Sequence, residues 1–229
     1  MLLLIDVGNT NICITTYMNN ELSNELIRIT TLLNRSADEY FLIIREMLKV
    51  DFVDAVAISS VVPDVTSILR EMCIKHFKTE PVILGSKIKT GVKLVTDNPR
   101  EVGADLISDV AALKGEEALI IDLGTATKYI YAKSSALLGV VICPGVNISI
   151  KALVSNTALL PEIELKAPRT VLGKNTITCM QSGVTYGVAS QVDGMIDRIK
   201  EEVGNPNLKV YATGGLANLI IPLDRKSVV

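Results

Sequence analysis

Leu2-Leu3-Leu4-Ile5-Asp6-Val7-Gly8-Asn9-Thr10 and Ala118-Leu119-Ile120-Ile121-Asp122-Leu123-Gly124-Thr125-Ala126 are one pattern written twice. Each copy is an apolar run ending in a carboxylate, then a glycine turn with a hydroxyl residue, then a second β-rich run, residues 12–17 in one and 127–131 in the other. Runs of this kind read as strands because branched and aromatic side chains suit a pleated, half-buried surface. Asn19-Asn20 turns the first copy toward a further strand at 26–30, and Ser134-Ser135 turns the second toward 136–143. Each half therefore begins as a β-meander.

Outward from these meanders the pattern changes period. Residues 37–50 carry apolar positions at helical spacing behind Ser36-x-x-Glu39, the signature of a capping box. A second buried strand is expected at 55–62, ending in Ser59-Ser60, then a helix at 64–78 with Pro63 at its start, then a third strand at 81–84. Strands alternating with helices imply an α/β protein, with mixed β-sheets flanked by helices in two similar halves, 1–113 and 114–229, joined near 113–116. A ligand site is expected in the cleft between the halves.

Composition narrows the class. With 229 residues, 48% apolar and 21% charged, the chain is far from disorder and long enough to bury two cores, and several strands should be buried on both faces. The apolar runs 2–5, 118–121 and 137–143 fall short of the roughly 18 residues of a membrane span, so no membrane partner is expected. The first residues lack a basic lead-in and a cleavage site, which argues against a signal peptide. Lys and Arg total 23 against 25 Asp and Glu, with no basic block, so nucleic acid is not an expected partner. The four cysteines are scattered without a C-x-x-C pair, which suggests neither zinc nor disulfides and points to the cytoplasm.

A carboxylate at a strand end, followed by a small turn, can hold a hydrated magnesium ion while the turn's N–H groups face phosphate oxygens. A single Asp-x-Gly is also an ordinary turn, but duplication favours the phosphate reading. Near the C-terminus Val210-Tyr211-Ala212 leads into Thr213-Gly214-Gly215-Leu216, either a plain turn or a place where a flat ring approaches the backbone. His76, the sole histidine, sits in a helical stretch and reads as structural. Cys143, beside Pro144-Gly145 in an expected tight loop, is assigned no chemistry. Lys151, Lys166 and Arg169 read as solvated surface, as do Glu201 and Glu202 at the end of a helix expected to begin near Gln191.

Asp6-Val7-Gly8-Asn9-Thr10-Asn11, Asp122 to Ala126 and Thr213-Gly214-Gly215 resemble, in order and spacing, the two phosphate motifs and the adenosine motif of the actin-like ATPase and sugar kinase superfamily. Asn98-Pro99-Arg100-Glu101-Val102-Gly103-Ala104-Asp105, Cys143-Pro144-Gly145, Gly173-Lys174-Asn175-Thr176 and Met180-Gln181-Ser182-Gly183 narrow the resemblance to the type III pantothenate kinases. It covers residues 1 to about 219. The resemblance implies two RNase H-like domains and ATP-dependent phosphorylation of pantothenate to 4′-phosphopantothenate, the first step of coenzyme A synthesis. It implies Asp105 as the base toward the pantothenate hydroxyl. Asp6, Val7, Gly8, Asn9, Thr10, Asn11, Ile12 and Cys13 would cradle the nucleotide with Thr125, Gly214 and Gly215. Magnesium would sit at Asp6 through water, and a monovalent cation, potassium or ammonium, at Asp122. Thr96, Gly103, Ala104, Asp105, Leu106 and Thr176 would form the pantothenate site, with Thr176 reaching across a two-fold interface, so that a homodimer is the working unit.

Two of these residues also have plain structural readings: Asp105 as a helix N-terminal carboxylate favoured by the dipole, and Thr176 as the N-cap of a helix from Ile177 onward. Leu106 stands where the family usually has Arg, and Thr96 where it usually has Tyr. Losing a charge-assisted contact to a carboxylate substrate typically costs about 1.5 to 3 kcal/mol, or roughly one to two powers of ten in binding. The family continues past the Thr-Gly-Gly turn into another helix, whereas residues 223–229 end this chain, which would loosen the adenine end. Two other readings stand beside the kinase: a weak or inactive partner-binding relative similar to the Bvg accessory factors, and a metal-dependent nuclease using Asp6, Asp105 and Asp122 as a trio.

Overall fold

The computed structural model describes residues 1–85 and 88–223, so the C-terminal stretch noted above lies, from residue 224 on, outside the described residues. The chain forms two compact units, one of Met1–Val92 with Asp97–Ala111, the other of Lys93–Thr96 with Ala112–Val229.

The first unit contains β1 (Leu2–Val7), β2 (Asn11–Met18), β3 (Glu21–Leu22), β4 (Ile27–Thr30), α1 (Ala37–Leu48), β5 (Ala55–Ser60), α2 (Pro63–Met72), β6 (Val82–Ile83) and α3 (Ala104–Ala112). Its sheet has the order β3-β2-β1-β5-β6, with β4 also pairing β2. β1 runs antiparallel to β2 and parallel to β5. The period-two alternation decides which side is core: Leu3, Ile5, Val7, Ile12, Ile14, Val56 and Ile58 are buried with Tyr40 and Ile44 of α1 and Val65, Leu69 and Met72 of α2. The opposite face carries Leu4, Asp6, Cys13, Thr15, Ala57 and Ser59.

Helix α1 starts at the expected capping box: the Glu39 N–H donates to Ser36 Oγ at 3.3 Å, and the Ser36 N–H donates to Glu39 Oε2 at 2.7 Å. The helix expected over 64–78 differs. It is α-helical only to Met72, then widens into a π turn at Cys73–Phe77. The wider turn lets Cys73 and Phe77 both stay buried while His76 stacks on Phe41 at 4.0 Å, with Nε2 2.6 Å from Asp38 Oδ1. His76 is thus a packed surface residue, as the sequence suggested. Asn98-Pro99-Arg100-Glu101 forms a 3-10 turn in which Asn98 Oδ1 accepts the Arg100 N–H, and this turn delivers the chain to α3.

The second unit contains β7 (Lys93–Leu94), β8 (Ala118–Leu123), β9 (Ala126–Lys133), β10 (Ala136–Pro144), α4 (Val146–Ser155), α5 (Thr176–Glu202), β11 (Lys209–Thr213) and α6 (Ala217–Ile220), in a sheet ordered β11-β8-β9-β10-β7. β8 is antiparallel to β9 and parallel to β11, so the triplet β9-β8-β11 repeats β2-β1-β5. Both meanders turn with two consecutive left-handed residues, Asn19-Asn20 at φ 54 and 65 and Ser134-Ser135 at φ 52 and 57. That geometry matches the right-handed twist of a two-residue hairpin. Leu119, Ile121 and Leu123 pack with Ala189, Val192 and Ile196 of α5, while Ala118 and Ile120 are buried on the other face, so β8 is the strand covered on both sides.

Three expectations change here. α5 is one helix through Gln191, so no helix begins there. Its cap is Asn175, not Thr176: Asn175 Oδ1 accepts the Thr178 N–H at 2.9 Å, and Thr178 Oγ1 accepts the Asn175 N–H at 3.2 Å. Cys143 lies in β10 opposite Thr127, not in a loop, because pairing continues to Pro144. Among the described residues no helix is long and apolar enough to cross a membrane.

Candidate active site

Loop 1 is the Gly8-Asn9-Thr10 turn between β1 and β2, closed by a Gly8 N–H to Asn11 O bond of 2.9 Å. Thr31 holds it from the end of β4: its N–H donates to Thr10 O at 3.0 Å and its hydroxyl to Gly8 O at 2.7 Å. Asn9 and Thr10 are exposed, whereas the side chains of Val7 and Ile12 are buried in the core and leave only backbone for a ligand. Asp6, one residue before the end of β1, stands opposite Cys13 on one side and Ser59 on the other.

Asp105 opens α3, where a carboxylate suits the positive end of the helix. Its Oδ1 accepts the Leu106 N–H at 2.9 Å, which fixes the carboxyl group at the helix start. One turn on, Ser108 approaches Ser59 Oγ at 3.5 Å and donates to Ala104 O at 2.9 Å, tying α3 to the sheet. Asp6, Cys13, Thr15, Ser59 and Ser108 line a cavity of ≈ 250 Å³ within this unit. Ala104 is buried, and Leu106 is 9% exposed, so its side chain is packed and not held out to solvent. Thr31, Ser59 and Ser108 were missed as site residues by the sequence reading. Only helical spacing from Asp105 pointed to Ser108, and nothing local pointed to Thr31.

Loop 2 is the Gly124-Thr125 turn between β8 and β9, closed by Gly124 N–H to Ala126 O at 3.2 Å. Two later segments stand on it. Gly214 has φ +96, and a Cβ there would come within 2.6 Å of Leu123 C and O and 2.7 Å of Asp122 Oδ1. Only glycine allows this approach. A Cβ on Gly145, the N-cap of α4, would lie 2.0 Å from Thr125 O. The Cys143-Pro144-Gly145 and Thr213-Gly214-Gly215 motifs thereby both pack against the Gly124-Thr125 turn. Thr125 and Gly215 are exposed beside it.

Asp122 pairs in register with Lys128 of β9 and with Thr213 of β11. Lys128 Nζ lies 2.7 Å from Asp122 Oδ2, with the two side chains only 13% and 17% exposed. These residues do not fit a free monovalent cation at Asp122, because that carboxylate oxygen already carries an ammonium group. Asp6 does fit a water-mediated magnesium ion, which keeps most of its water shell and needs only one or two carboxylates besides phosphate. Among the described residues there is no group of three or more His, Cys, Asp or Glu side chains that could hold a metal ion.

Thr96 follows β7, and its Oγ1 is buried without a hydrogen-bond partner among the described residues. Thr176 is exposed in the first turn of α5.

Two meanders, each with a carboxylate before a glycine turn and a parallel strand beside it, are the halves of an actin-like ATPase fold. Solved structures share it: a protein described as a Baf family transcriptional activator from Campylobacter jejuni matches with TM-score 0.57 and 16% identity, covering 95% of this chain and 85% of that one. A protein described as a 2-dehydro-3-deoxygalactonokinase from Sinorhizobium meliloti matches with TM-score 0.51 and 11% identity, covering 97% and 94%. Sequence then decides within the fold. Residues 2–198 match the family model of type III pantothenate kinase, and the type III pantothenate kinase of Acholeplasma laidlawii is 46% identical over 222 residues, 96% of this chain and 89% of that protein. The chain belongs to the type III pantothenate kinase family.

Proposed function

We propose that this chain transfers the γ-phosphoryl group of ATP to the primary hydroxyl of pantothenate, giving 4′-phosphopantothenate and ADP, the first step of coenzyme A synthesis. The observation that carries the reading is the family match over residues 2–198. Asp105, fixed at the start of α3 by the Leu106 N–H, takes the role of base. The hydroxyl oxygen bonds to the γ-phosphorus as the bond to the bridging oxygen of ADP breaks, and its proton passes to Asp105. The backbone of loop 1, from Asp6 to Cys13, and Thr125 of loop 2 serve the phosphates, and Gly214 and Gly215 serve the adenine side. Asp6 would hold magnesium through water, and the ion when bound would supply positive charge to offset that of the phosphates. Thr96, Gly103, Ala104, Leu106 and Thr176 contact pantothenate.

In this reading the enzyme works as a cytoplasmic homodimer. Support for the second copy comes from a groove of ≈ 680 Å³ along α4 and α5, lined by Leu153, Met180, Gly183, Val184, Gly187 and Val188. On the same two helices Ile148 and Ile177 are 45% and 49% exposed, and Leu172, just ahead of α5, is 83% exposed, apolar side chains of the kind a partner copy covers. No second reading is favoured by a specific observation.

The test is direct: purified protein with ATP, magnesium and pantothenate forms 4′-phosphopantothenate, and Asp105→Asn lowers kcat by about a hundred- to ten-thousandfold without loss of ATP binding. A wild-type chain that binds ATP but makes no product at any pantothenate concentration overturns the proposal.

A further inference from the structure

A carboxylate beside a turn that receives a triphosphate repels it unless a positive charge stands between them. In the first copy of the repeat the residue opposite Asp6 is Cys13, whereas in the second the residue opposite Asp122 is Lys128. Lys128 therefore puts a cation beside Asp122 at the register position that cysteine holds beside Asp6. Its ammonium group is 2.7 Å from Asp122 Oδ2, and both side chains are largely withdrawn from water. The other carboxylate oxygen, Oδ1, faces the two glycine turns, 3.3 Å from where a Cβ of Gly124 would stand and 2.7 Å from that of Gly214. One oxygen thus faces two glycine turns and the other is bound to a cation that the chain itself supplies. A potassium ion needs a shell of several oxygens, and one of the two that Asp122 could offer is already engaged by an ammonium group.

We propose that Lys128 is the resident monovalent cation of loop 2, so that this kinase works without added potassium or ammonium. The inference rests on the proposed phosphoryl transfer for its kinetic meaning. A lysine ammonium has the charge of either ion and, as a substituted ammonium, a similar size at its head. Being tethered, it fills the place at any ionic composition. Lys128 is a positioning residue: it neutralises Asp122 and keeps that carboxylate against the Gly124-Thr125 turn.

The experiment compares initial rates in choline, sodium, potassium and ammonium chloride at equal ionic strength, for wild type and for Lys128→Met, which keeps the length and removes the charge. Wild-type rates should agree within about twofold, the scale of general salt screening. Lys128→Met should fall about a hundredfold in choline and recover in potassium or ammonium but not in sodium. A wild-type rate that rises saturably by about tenfold with potassium overturns the proposal. So does a folded Lys128→Met protein that falls and is not rescued. Should that variant fail to fold, Lys128→Arg, which keeps the charge, must remain indifferent to potassium, and a potassium requirement there overturns the proposal. Melting temperature in potassium against choline supplies a readout independent of turnover: no shift for wild type, a rise for Lys128→Met. If wild type makes no product in any salt, the kinase reading fails, yet the melting comparison still decides whether Lys128 holds the cation's place.

Discussion

Thr96 keeps a hydroxyl oxygen buried with no partner among the described residues. An unsatisfied buried hydroxyl costs about 1–3 kcal/mol, and replacing it by a methyl group removes that cost. In the proposed function pantothenate supplies the missing partner. Thr96→Val should therefore raise the melting temperature of the free protein while raising the KM for pantothenate, a combination that a purely structural threonine would not give. Calorimetry and steady-state kinetics on the same preparation check it. Asp105 shows how far a residue is legible: its place at a helix start followed from the sequence, but its bond to Leu106 and the tie of its helix through Ser108 to Ser59 needed the fold. Leu106, whose departure from arginine stands out in the sequence, proves to be packed at 9% exposure, a fact of tertiary burial that no local pattern carries.

Turns, caps and close contacts decide matters at the level of elements. The Ser36/Glu39 capping box was legible because both its partners lie within one turn of sequence. The cap of α5 was assigned one residue late because Asn175 and Thr176 are both capping types, and only the Thr178 hydroxyl, reaching back to the Asn175 N–H, selects between them. Gly145→Ala places a methyl group where Thr125 O stands, 2.0 Å away, so α4 and loop 2 must part. The expected result is a loss of about 1–3 kcal/mol in stability and a higher KM for ATP, measured by urea unfolding and kinetics. Acid sensitivity resides in Glu116 and Glu117, just before β8. Glu116 is held below the usual glutamate range by Lys209 and then Tyr211 of β11, and Glu117 by Lys133 and then Tyr131 of β9. A lowered folded-state pKa means that these ties are complete above the ordinary value, about 4.3, and are lost as pH falls through the lower folded value. Melting temperature should thus decline on acidification below that point, and the double variant Glu116→Gln, Glu117→Gln should show a shallower decline.

On the scale of the whole molecule the surface of α5 carries the prediction. A Cβ on Gly187 would meet nothing within 4 Å, so a large residue there leaves the fold of one copy intact. Gly187→Arg should preserve or slightly raise the melting temperature, since glycine inside a helix costs roughly 0.5–1 kcal/mol, yet convert a dimer to a monomer by light scattering. Retained dimerisation would remove α5 from the proposed interface. The sequence by itself determined the duplicated strand and glycine-turn unit, the α/β class and the family, because these depend on patterns repeated within a few residues and on their order along the chain. Only the tertiary structure decided which groups meet: Lys128 against Asp122, Thr31 beneath loop 1, Gly145 and Gly214 upon loop 2. Those pairings arise from strand register and from packing between distant segments, and the physical quantities that fix them, burial and separation in space, are not properties of any stretch of sequence.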